Sequence, residues 1–392
     1  MRLPLSYSFR NVAARPVRSL LTAGVIALVV VACALFLGLI SSLKQTMTSS
    51  GDPRNLVVLR KGSDNDGSSQ IPIDAYQSIR YLDGIARDEE DEPMVSPELV
   101  VQPFFATRDG GRENVLVRGV EDAALKVHDQ VRITRGRMIE PSAGEAIVGK
   151  GVLGRYEGTD LGSELEFGRS RWKVVGVFES EGSSFESEVW VDVRELARDA
   201  YRVVPFSGVR LRTESEEALR AVQQRIDDDP RFALEAERET DYYAKQSDSA
   251  NALYALVIGI AVLAGIGAGF GAANTMYAAV QARTAEIGTL RAMGFSRGSI
   301  LWAFEMEAAM LALLGFALGT ALSLTLAAVL RWLLGGVAFG AATFTTNVIT
   351  LRVTSSDLVV AFVLAVIVGV GGGVGPAWRA ARLRPVDALR KA

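Results

Sequence analysis

Residues suited to catalysis are scarce and far apart in this 392-residue chain, which has one cysteine, Cys33, and one histidine, His128. Cys33 lies in a long apolar run and His128 in a distant polar stretch, so they cannot form a nucleophile–base pair. Neither has a second histidine or cysteine with which to share a transition-metal site, and a lone cysteine excludes an intrachain disulfide. We therefore expect no catalytic residue, no metal site and no cofactor bound by this chain.

One segment imitates a nucleotide-binding motif. Gly144 to Lys150 matches the first seven positions of a phosphate-binding loop, but the next residue is Gly151, where a serine or threonine hydroxyl would hold Mg²⁺. The intervening Ala-Ile-Val is typical of a strand and not of a glycine-rich cradle. We interpret the segment as a strand followed by a turn.

Two carboxylates, Glu305 and Glu307, lie early in an apolar segment, where ionisable side chains can form a proton or ion relay. A simpler interpretation is an amphipathic entry to a membrane-spanning helix, in which they pair with Arg291 or Arg297. We favour this second interpretation because both residues are close to the charged loop that precedes the segment.

Four windows contain no Asp, Glu, Lys or Arg. Each has the roughly 20 residues that a helix needs to span a bilayer. The chain is 49% hydrophobic and 22% charged, with a mean hydropathy of +0.21. Charges so unevenly spread exclude a soluble enzyme, a nucleic-acid-binding domain and a disordered scaffold. The windows are Ser19–Leu43, Ser249–Ala282, Ala308–Leu330 and Leu358–Trp378.

The charge distribution predicts the topology. Residues 1–18, 283–297 and 379–392 together hold 12 lysines and arginines against two acids, whereas residues 44–248 carry a net charge of −12. Lysine and arginine concentrate in short cytoplasmic loops. We therefore expect both termini in the cytoplasm and residues 44–248 outside it.

The predicted fold class is an α-helical membrane protein with four transmembrane helices and a mixed α/β extracytoplasmic domain inserted between helices 1 and 2. The predicted segments are an N-terminal interfacial helix (1–18), span 1 (19–43), the extracytoplasmic domain (44–248), span 2 (249–282), a short cytoplasmic helix (283–299), span 3 (300–330), an outer loop (331–357), span 4 (358–378) and a cytoplasmic tail (379–392).

Each end of the extracytoplasmic domain is predicted to form a β-α-β unit. In both places a strand-like stretch is followed by a stretch with helical periodicity and then by a second strand-like stretch. Between these flanks, residues 115–193 are rich in short strands, from which we expect a second, mostly β subdomain. The flanking elements are strand 55–61, helix 73–82 and strand 98–107, then strand 206–212, helix 215–228 and strand 231–237.

Three glycine pairs with a spacing of four residues lie in the spans. This spacing lets helices approach closely in lipid. We expect the pairs to serve helix packing, either within the chain or across a dimer. They are Gly267 and Gly271, Gly315 and Gly319, and Gly369 and Gly373.

Residues 281–300, QARTAEIGTLRAMGFSRGSI, resemble the R-x-x-E-I-G-x-x-R-A-x-G loop of the MacB/LolC/FtsX-like superfamily of ABC transporter permeases. Residues 11–22, NVAARPVRSLLT, are similar to the superfamily's entry to its first span, and residues 376–390, PAWRAARLRPVDALR, to its C-terminal tail. The order of one span, a large domain and three spans is also the same. The resemblance covers the whole chain and is nearest to stand-alone MacB-like permeases.

The resemblance implies a cytoplasmic coupling helix that docks on an ABC ATPase, with a C-terminal motif beside it. The implied coupling residues are Arg283, Glu286, Ile287, Gly288, Leu290, Arg291, Ala292 and Gly294, and the implied motif residues are Pro376, Arg379, Arg382, Pro385 and Leu389. Family members work as dimers of permease copies or homologues with two ATPases, which bind ATP and Mg²⁺. MacB itself has a fused ATPase domain that this sequence lacks, so the ATPase is expected on a separate chain.

The implied function is that of a non-catalytic permease subunit in the bacterial inner membrane, which relays ATP-driven motion to a periplasmic domain. That domain would export or extract a small amphipathic molecule, peptide, lipid or lipoprotein. The partners implied besides the ATPase are a periplasmic adaptor, an outer-membrane channel or a lipoprotein, and membrane lipid; nucleic acid is not expected. The alternative is an FtsX-like signal transmitter that regulates a periplasmic cell-wall enzyme. A domain of 205 residues favours the first.

Overall fold

The computed structural model describes residues 5–14, 16–247, 249–334, 337–340 and 346–383. It divides into two compact units. We call them the membrane unit, which comprises Met1–Ser42, Asn251–Leu333 and Leu351–Ala392, and the α/β unit, which comprises Leu43–Ala250 and Leu334–Thr350.

The regular elements alternate between the two units along the chain. The helices are α1 (Leu5–Ala14), α2 (Pro16–Thr48), α3 (Ile73–Arg80), α4 (Ala124–Val127), α5 (Val193–Asp199), α6 (Glu216–Asp227), α7 (Glu239–Ser247), α8 (Ser249–Ala282), α9 (Thr284–Ala292), α10 (Arg297–Leu334) and α11 (Ser355–Arg382). The strands are β1 (Asn55–Arg60), β2 (Val95–Val101), β3 (Phe104–Ala106), β4 (Arg112–Asn114), β5 (Leu116–Val120), β6 (Arg132–Gly136), β7 (Glu145–Gly149), β8 (Glu164–Phe167), β9 (Ser170–Glu179), β10 (Glu188–Asp192), β11 (Gly208–Arg212), β12 (Leu234–Arg238), β13 (Val337–Gly340) and β14 (Thr346–Ile349).

Four helices of the described chain, α2, α8, α10 and α11, are long and apolar enough to cross a membrane, which confirms the predicted fold class. α8 coincides with its charge-free window, whereas α2, α10 and α11 extend past theirs: α10 has 38 residues and includes Glu305 and Glu307. At the start of α11, the Thr354 hydroxyl caps the helix in a reciprocal arrangement with Asp357. Asp357 also accepts a 2.7 Å hydrogen bond from Ser41 of α2.

The short helix after α8 ends earlier than the predicted 299. α9 ends at Ala292, because Gly294 adopts the left-handed conformation with φ = 96°. The N–H groups of Gly294 and Phe295 donate to the carbonyls of Arg291 and Leu290, both at 3.2 Å, in the glycine-dependent pattern that closes helix C-termini. The predicted outer loop 331–357 also differs, since it contains the β13–β14 hairpin.

Two of the three glycine pairs pack against neighbouring helices of the membrane unit. A Cβ built at Gly319 of α10 would lie 2.7 Å from the Cβ of Val30 in α2, and one built at Gly373 of α11 would lie 2.7 Å from the Cβ of Ala308 in α10. Their partners are at least as close: a Cβ built at Gly315 would lie 2.8 Å from the Cβ of Ile26 in α2, and one built at Gly369 would overlap Ala312 in α10. By contrast, a Cβ at Gly267 would meet nothing within 4 Å. The pair of Gly267 and Gly271 therefore packs against little of the described chain.

We expect Gly319→Leu to destabilise the membrane unit, because the added side chain overlaps Val30 of α2 and overpacking costs about 1–3 kcal/mol. Gly267→Leu makes the same chemical change in open space and serves as the matched control. Thermal unfolding of the detergent-solubilised chain should show a lowered Tm for Gly319→Leu alone. Equal Tm values for both variants would contradict the packing seen here.

The α/β unit is built on a mixed ten-stranded sheet in the order β12-β1-β11-β2-β5-β10-β7-β9-β6, with β8 paired to β9. The flanks form a split β-α-β arrangement: α3 connects β1 to β2, α6 connects β11 to β12, and β11 lies between β1 and β2. Ser215 caps the start of α6 by accepting a hydrogen bond from the Ala218 N–H.

The middle segment, which the sequence predicts to be a second, mostly β subdomain, is rich in strands and joins the flanks in one continuous sheet. β2 is seven residues long and pairs with β11 through Val95–Glu98 and with β5 through Leu99–Val101. The two parts also share one hydrophobic core, which includes Leu56 and Leu211 from the flanks and Val148 and Trp172 from the middle. The predicted strand 98–107 is divided between β2, which ends at Val101, and β3, which begins at Phe104.

Candidate functional site

A buried arginine fastens the α8–α9 junction to other helices of the membrane unit. The Arg283 side chain is only 5% exposed, and its Nε and Nη1 atoms lie 2.9 Å from Glu286 and 3.1 Å from Glu307 of α10. Its Nη2 donates to the Tyr7 hydroxyl of α1 at 2.6 Å, and that hydroxyl donates to Glu286. The guanidinium also lies 5.2 Å from the ring centre of Phe304. We call Tyr7, Arg283, Glu286 and Glu307 the junction cluster.

The junction cluster keeps Arg283 charged despite its burial. Burial by itself lowers the pKa of this guanidinium, but the hydrogen bond to Glu286 and the nearby charges of Glu307 and Glu286 outweigh it and raise the pKa above its ordinary value. The expected pairing of Glu307 with Arg291 or Arg297 is thus wrong. Glu305 is not a member of the cluster, and both its carboxylate oxygens are buried without a hydrogen-bond partner in the described chain.

A cavity of about 150 Å³ lies beside the junction cluster within the membrane unit. Its wall includes Arg283, Glu307 and the hydroxyls of Thr22 and Thr275, whose oxygens are 3.0 Å apart. Helices α1, α2, α8, α10 and α11 all contribute to it.

The implied coupling residues divide between the two faces of α9. Ile287 and Gly288 are buried with Arg283, and Leu290 and Arg291 are half-buried, so these residues hold α9 in place. Their assignment as docking contacts stays a prediction that the resemblance implies. The exposed residues of the segment are Ala285, Glu286, Thr289, Ala292, Met293 and Gly294, of which Glu286 is already bonded within the junction cluster.

The C-terminal motif is partly described. Pro376 is buried inside α11, whereas Arg379 and Arg382 are exposed at its end. Pro385 and Leu389 lie outside the described residues. The phosphate-loop look-alike is the buried strand β7 followed by a turn, and Lys150 pairs with Glu179 at 3.1 Å, so the strand-and-turn prediction is confirmed.

The α/β unit contains a second set of charged residues, which is buried in its sheet. The Glu98 carboxylate of β2 lies 2.7 Å from Arg118 of β5, 2.6 Å from Arg210 of β11 and 2.8 Å from His128, and all four side chains are at most 2% exposed. Arg118 forms a bidentate pair with Glu188 of β10. Burial disfavours the ionised form of Glu98, but the charges of Arg210 and Arg118 and the hydrogen bond with His128 outweigh it and lower its pKa.

This buried cluster extends to the segments that lead toward the membrane helices. Glu239, the first residue of α7, accepts hydrogen bonds from the backbone N–H of Asp52 at 3.0 Å and from Asn55 at 2.9 Å. Its other oxygen lies 3.5 Å from Nε of Arg210. The segment after α2 and the helix before α8 are therefore both tied to the core of the sheet.

A serine-rich turn, residues 183–187, contacts two further connecting segments within the α/β unit. The Ser50 hydroxyl, just beyond α2, lies 2.7 Å from that of Ser184 and accepts its backbone N–H at 2.9 Å. Ser187 accepts the backbone N–H of Val348 in β14 at 2.9 Å. The chain segments that leave α2 and that join α10 to α11 therefore meet on the same short turn.

Sequence reasoning missed both the junction cluster and the buried cluster. A usable signal existed for the second: Glu98 and Arg118 each interrupt an otherwise apolar or small-residue strand, where an unpaired charge would be costly. The junction cluster had no such signal, because Tyr7 and Arg283 are 276 residues apart.

Four apolar helices with an α/β domain between the first and second define a class of multi-pass membrane protein. Two family models cover this layout: the MacB-like periplasmic core domain matches residues 19–229, and the FtsX-like permease C-terminal domain matches residues 258–385. The chain belongs to the MacB/FtsX-like family of ABC transporter permeases, which confirms the resemblance read from its motifs.

Relatives carry the same description. The chain is 28% identical over 326 residues to the macrolide export ATP-binding/permease protein MacB of Bordetella avium (strain 197N), covering 76% of this chain and 46% of that protein. It is 26% identical over 342 residues to MacB of Rhodopseudomonas palustris (strain HaA2), covering 79% and 47%. The chain thus spans about half the length of the curated relatives it matches. The crystal structure of the periplasmic region of MacB from Actinobacillus actinomycetemcomitans covers 49% of this chain and 92% of that chain, with 9% identity and a TM-score of 0.38.

Proposed function

We propose that this protein is the permease subunit of a MacB-like ABC transporter. It relays the motion of an ABC ATPase, carried on a separate chain that binds ATP and Mg²⁺, to its α/β domain. That domain exports or extracts a small amphipathic molecule, peptide, lipid or lipoprotein at the periplasmic face of the bacterial inner membrane. Both termini and α9 lie in the cytoplasm, and two permease copies or homologues form the working unit.

The observation that carries this proposal is the two-faced arrangement of α9. One face is held against α10 and α1 through Arg283, and the C-terminal end of the other presents the uncharged residues Ala292 and Met293, of which Met293 is 60% exposed. A short helix held firmly on one side and open on the other suits the transfer of movement from a docked protein to the spans. The ATP-binding/permease description of the relatives supports an ATPase as that docked protein.

The contacts of the α/β unit support the second half of the relay. Displacement of α2 would move Ser50 and Asp52, which are hydrogen-bonded to Ser184 and Glu239 respectively. Because Glu239 also lies beside Arg210 in the buried cluster, movement of either connecting segment acts on the sheet itself and not on a loose loop.

We expect Ala292→Arg and Met293→Asp to abolish stimulation of the partner ATPase, because each places a charge on the exposed face of α9 without touching the junction cluster. The loss should be at least about tenfold, which corresponds to ~1.4 kcal/mol of docking free energy. Arg297→Gln, an exposed change just beyond this helix, is the matched control. ATPase rates should be measured with the reconstituted pair, and full stimulation by both α9 variants would contradict the docking assignment.

The signal-transmitter alternative predicts different partners. Affinity purification of the tagged chain from native membranes, followed by mass spectrometry, should recover an ABC ATPase with a periplasmic adaptor, an outer-membrane channel or lipoproteins. Recovery of the ATPase with a cell-wall hydrolase in their place would favour FtsX-like regulation over transport.

A further inference from the structure

The end of α11 carries a stripe that changes from apolar to basic along one face of the helix. Val374, Trp378 and Arg382 follow each other at intervals of four residues, and Gly375 and Arg379 accompany them at the same interval. Residues four apart in a helix lie one above the other. The side chains of Val374 and Trp378 are 48% and 51% exposed, and both arginines are exposed.

α8 turns this stripe into a groove. Tyr277 of α8 stands opposite Gly375, and together with the stripe it borders an open cavity of about 640 Å³. A Cβ built at Gly375 would lie 2.8 Å from the Tyr277 hydroxyl oxygen, so a larger residue would close the space between the two helices. The groove therefore depends on glycine at this position.

Aromatic rings hold both guanidinium groups at the rim of the groove. Arg382 lies 4.5 Å from the ring centre of Trp378, and Arg379 lies 5.8 Å from that of Tyr277. Stacking on a ring orients a guanidinium but leaves its N–H groups available to oxygen acceptors. Within the described part of the chain, neither arginine forms an ion pair with a carboxylate, so no described residue neutralises these two adjacent positive charges.

We propose that this groove binds an anionic phospholipid, with its phosphate on Arg379 and Arg382 and one acyl chain along Val374 and Trp378. The ligand must be an amphiphile, because the stripe is apolar toward the middle of a membrane-spanning helix and basic at its end, at the depth of lipid headgroups. It must carry net negative charge, because a zwitterionic headgroup would bring a cation to two unpaired arginines. An acidic protein surface would match the arginines but would leave the apolar half of the groove without a partner. The proposal does not depend on the transport assignment.

The test compares lipid retention by the detergent-purified full chain, using native mass spectrometry with phosphatidylglycerol and phosphatidylcholine of identical acyl chains. We expect a preference for phosphatidylglycerol of about thirtyfold, since each basic residue near an anionic headgroup contributes roughly fivefold. The double variant Arg379→Gln/Arg382→Gln should bring the ratio close to one. Gly375→Leu keeps both charges but fills the groove, and should reduce the retention of both lipids.

Arg297→Gln removes an exposed arginine from the start of α10 and is the matched control, with an unchanged ratio expected. The Tm and the elution volume of each variant are first compared with those of the unmodified chain, so that a misfolded variant is recognised. Absence of headgroup preference in the unmodified chain, an equal loss in Arg297→Gln, or retained preference in the double variant would overturn the proposal. If the double variant kept its lipid preference but no longer co-purified with an ATPase, the two arginines would form a protein contact, and the lipid proposal would also be overturned.

Discussion

Glu98→Ala is expected to lower the free energy of unfolding of the α/β unit by about 3–5 kcal/mol, the usual cost of removing one partner from a buried ion pair. The carboxylate is completely buried and faces Arg118, Arg210 and His128. Without this carboxylate, the guanidinium groups of Arg118 and Arg210 stay buried in the sheet and their positive charges are only partly neutralised. The effect should be read by hydrogen exchange of the full chain, on peptides that cover β2, β5 and β11.

The matched control is Asp160→Ala, which removes the carboxylate of an exposed pair. Asp160 and its partner Arg108 are 55% and 50% exposed, and such pairs contribute at most about 1 kcal/mol. Equal losses of exchange protection in the two variants would contradict the view that Glu98 organises the buried cluster.

The same carboxylate should make stability depend on pH in acid. The pKa of Glu98 in the folded chain lies below its ordinary value of 4.5, because the charges of Arg210 and Arg118 overcome the effect of burial. Its contribution to stability is therefore complete above the ordinary pKa and is lost as pH falls through the lower, folded value. In Glu98→Gln this part of the acid dependence should be absent, so that exchange protection falls less steeply with acidification than in the unmodified chain.

Arg283→Ala is expected to uncouple α9 from the membrane helices. The change leaves Glu307, whose side chain is 12% exposed, without its guanidinium partner and removes the hydrogen bond to Tyr7. We expect a lowered Tm in detergent and a loss of ATPase stimulation of at least about tenfold, as for a lost interaction of ~1.4 kcal/mol. Both should be measured on the same preparation of permease and ATPase.

Two further variants separate coupling from folding. Arg283→Met combined with Glu307→Met replaces the ion pair by apolar side chains, a change that is often neutral for stability. It should restore Tm but not stimulation, because the hydrogen bonds to Glu286 and Tyr7 remain absent. Arg297→Ala removes an exposed arginine from the same region and should change neither quantity. Full stimulation by Arg283→Ala would show that the junction cluster has no part in coupling.

The elements that sequence predicts well are those with a local physical cause. The charge-free windows predict the four long helices, and the helix predicted over 215–228 agrees within one residue at each end with α6. α9, by contrast, ends at Ala292 and not at 299, because Gly294 adopts a conformation that only glycine readily takes. The features that sequence missed depend on distant partners. The β11–β2 and β2–β5 pairings join strands of the flanks and of the middle segment into one sheet. Local sequence patterns predict the strands but not which strands pair.

The site followed the same division. The motif of residues 281–300 located the candidate coupling segment, but not the direction in which each side chain points. Arg283 and Ile287 belong to that motif and yet are buried, whereas Met293 is exposed and becomes the better docking candidate. A family motif records which residues matter and does not distinguish those that hold a helix from those that touch a partner.

The most direct test of the proposed relay is photo-crosslinking from Met293 in native membranes. A benzophenone amino acid placed at this exposed position should form an adduct with an ABC ATPase, in a yield that changes when ATP is added. The same group at Ser63 of the α/β unit should capture only proteins outside the cytoplasm. Capture of an ATPase from Ser63, or of no ATPase from Met293 while the Ser63 adducts form, would contradict both the orientation and the coupling role of α9.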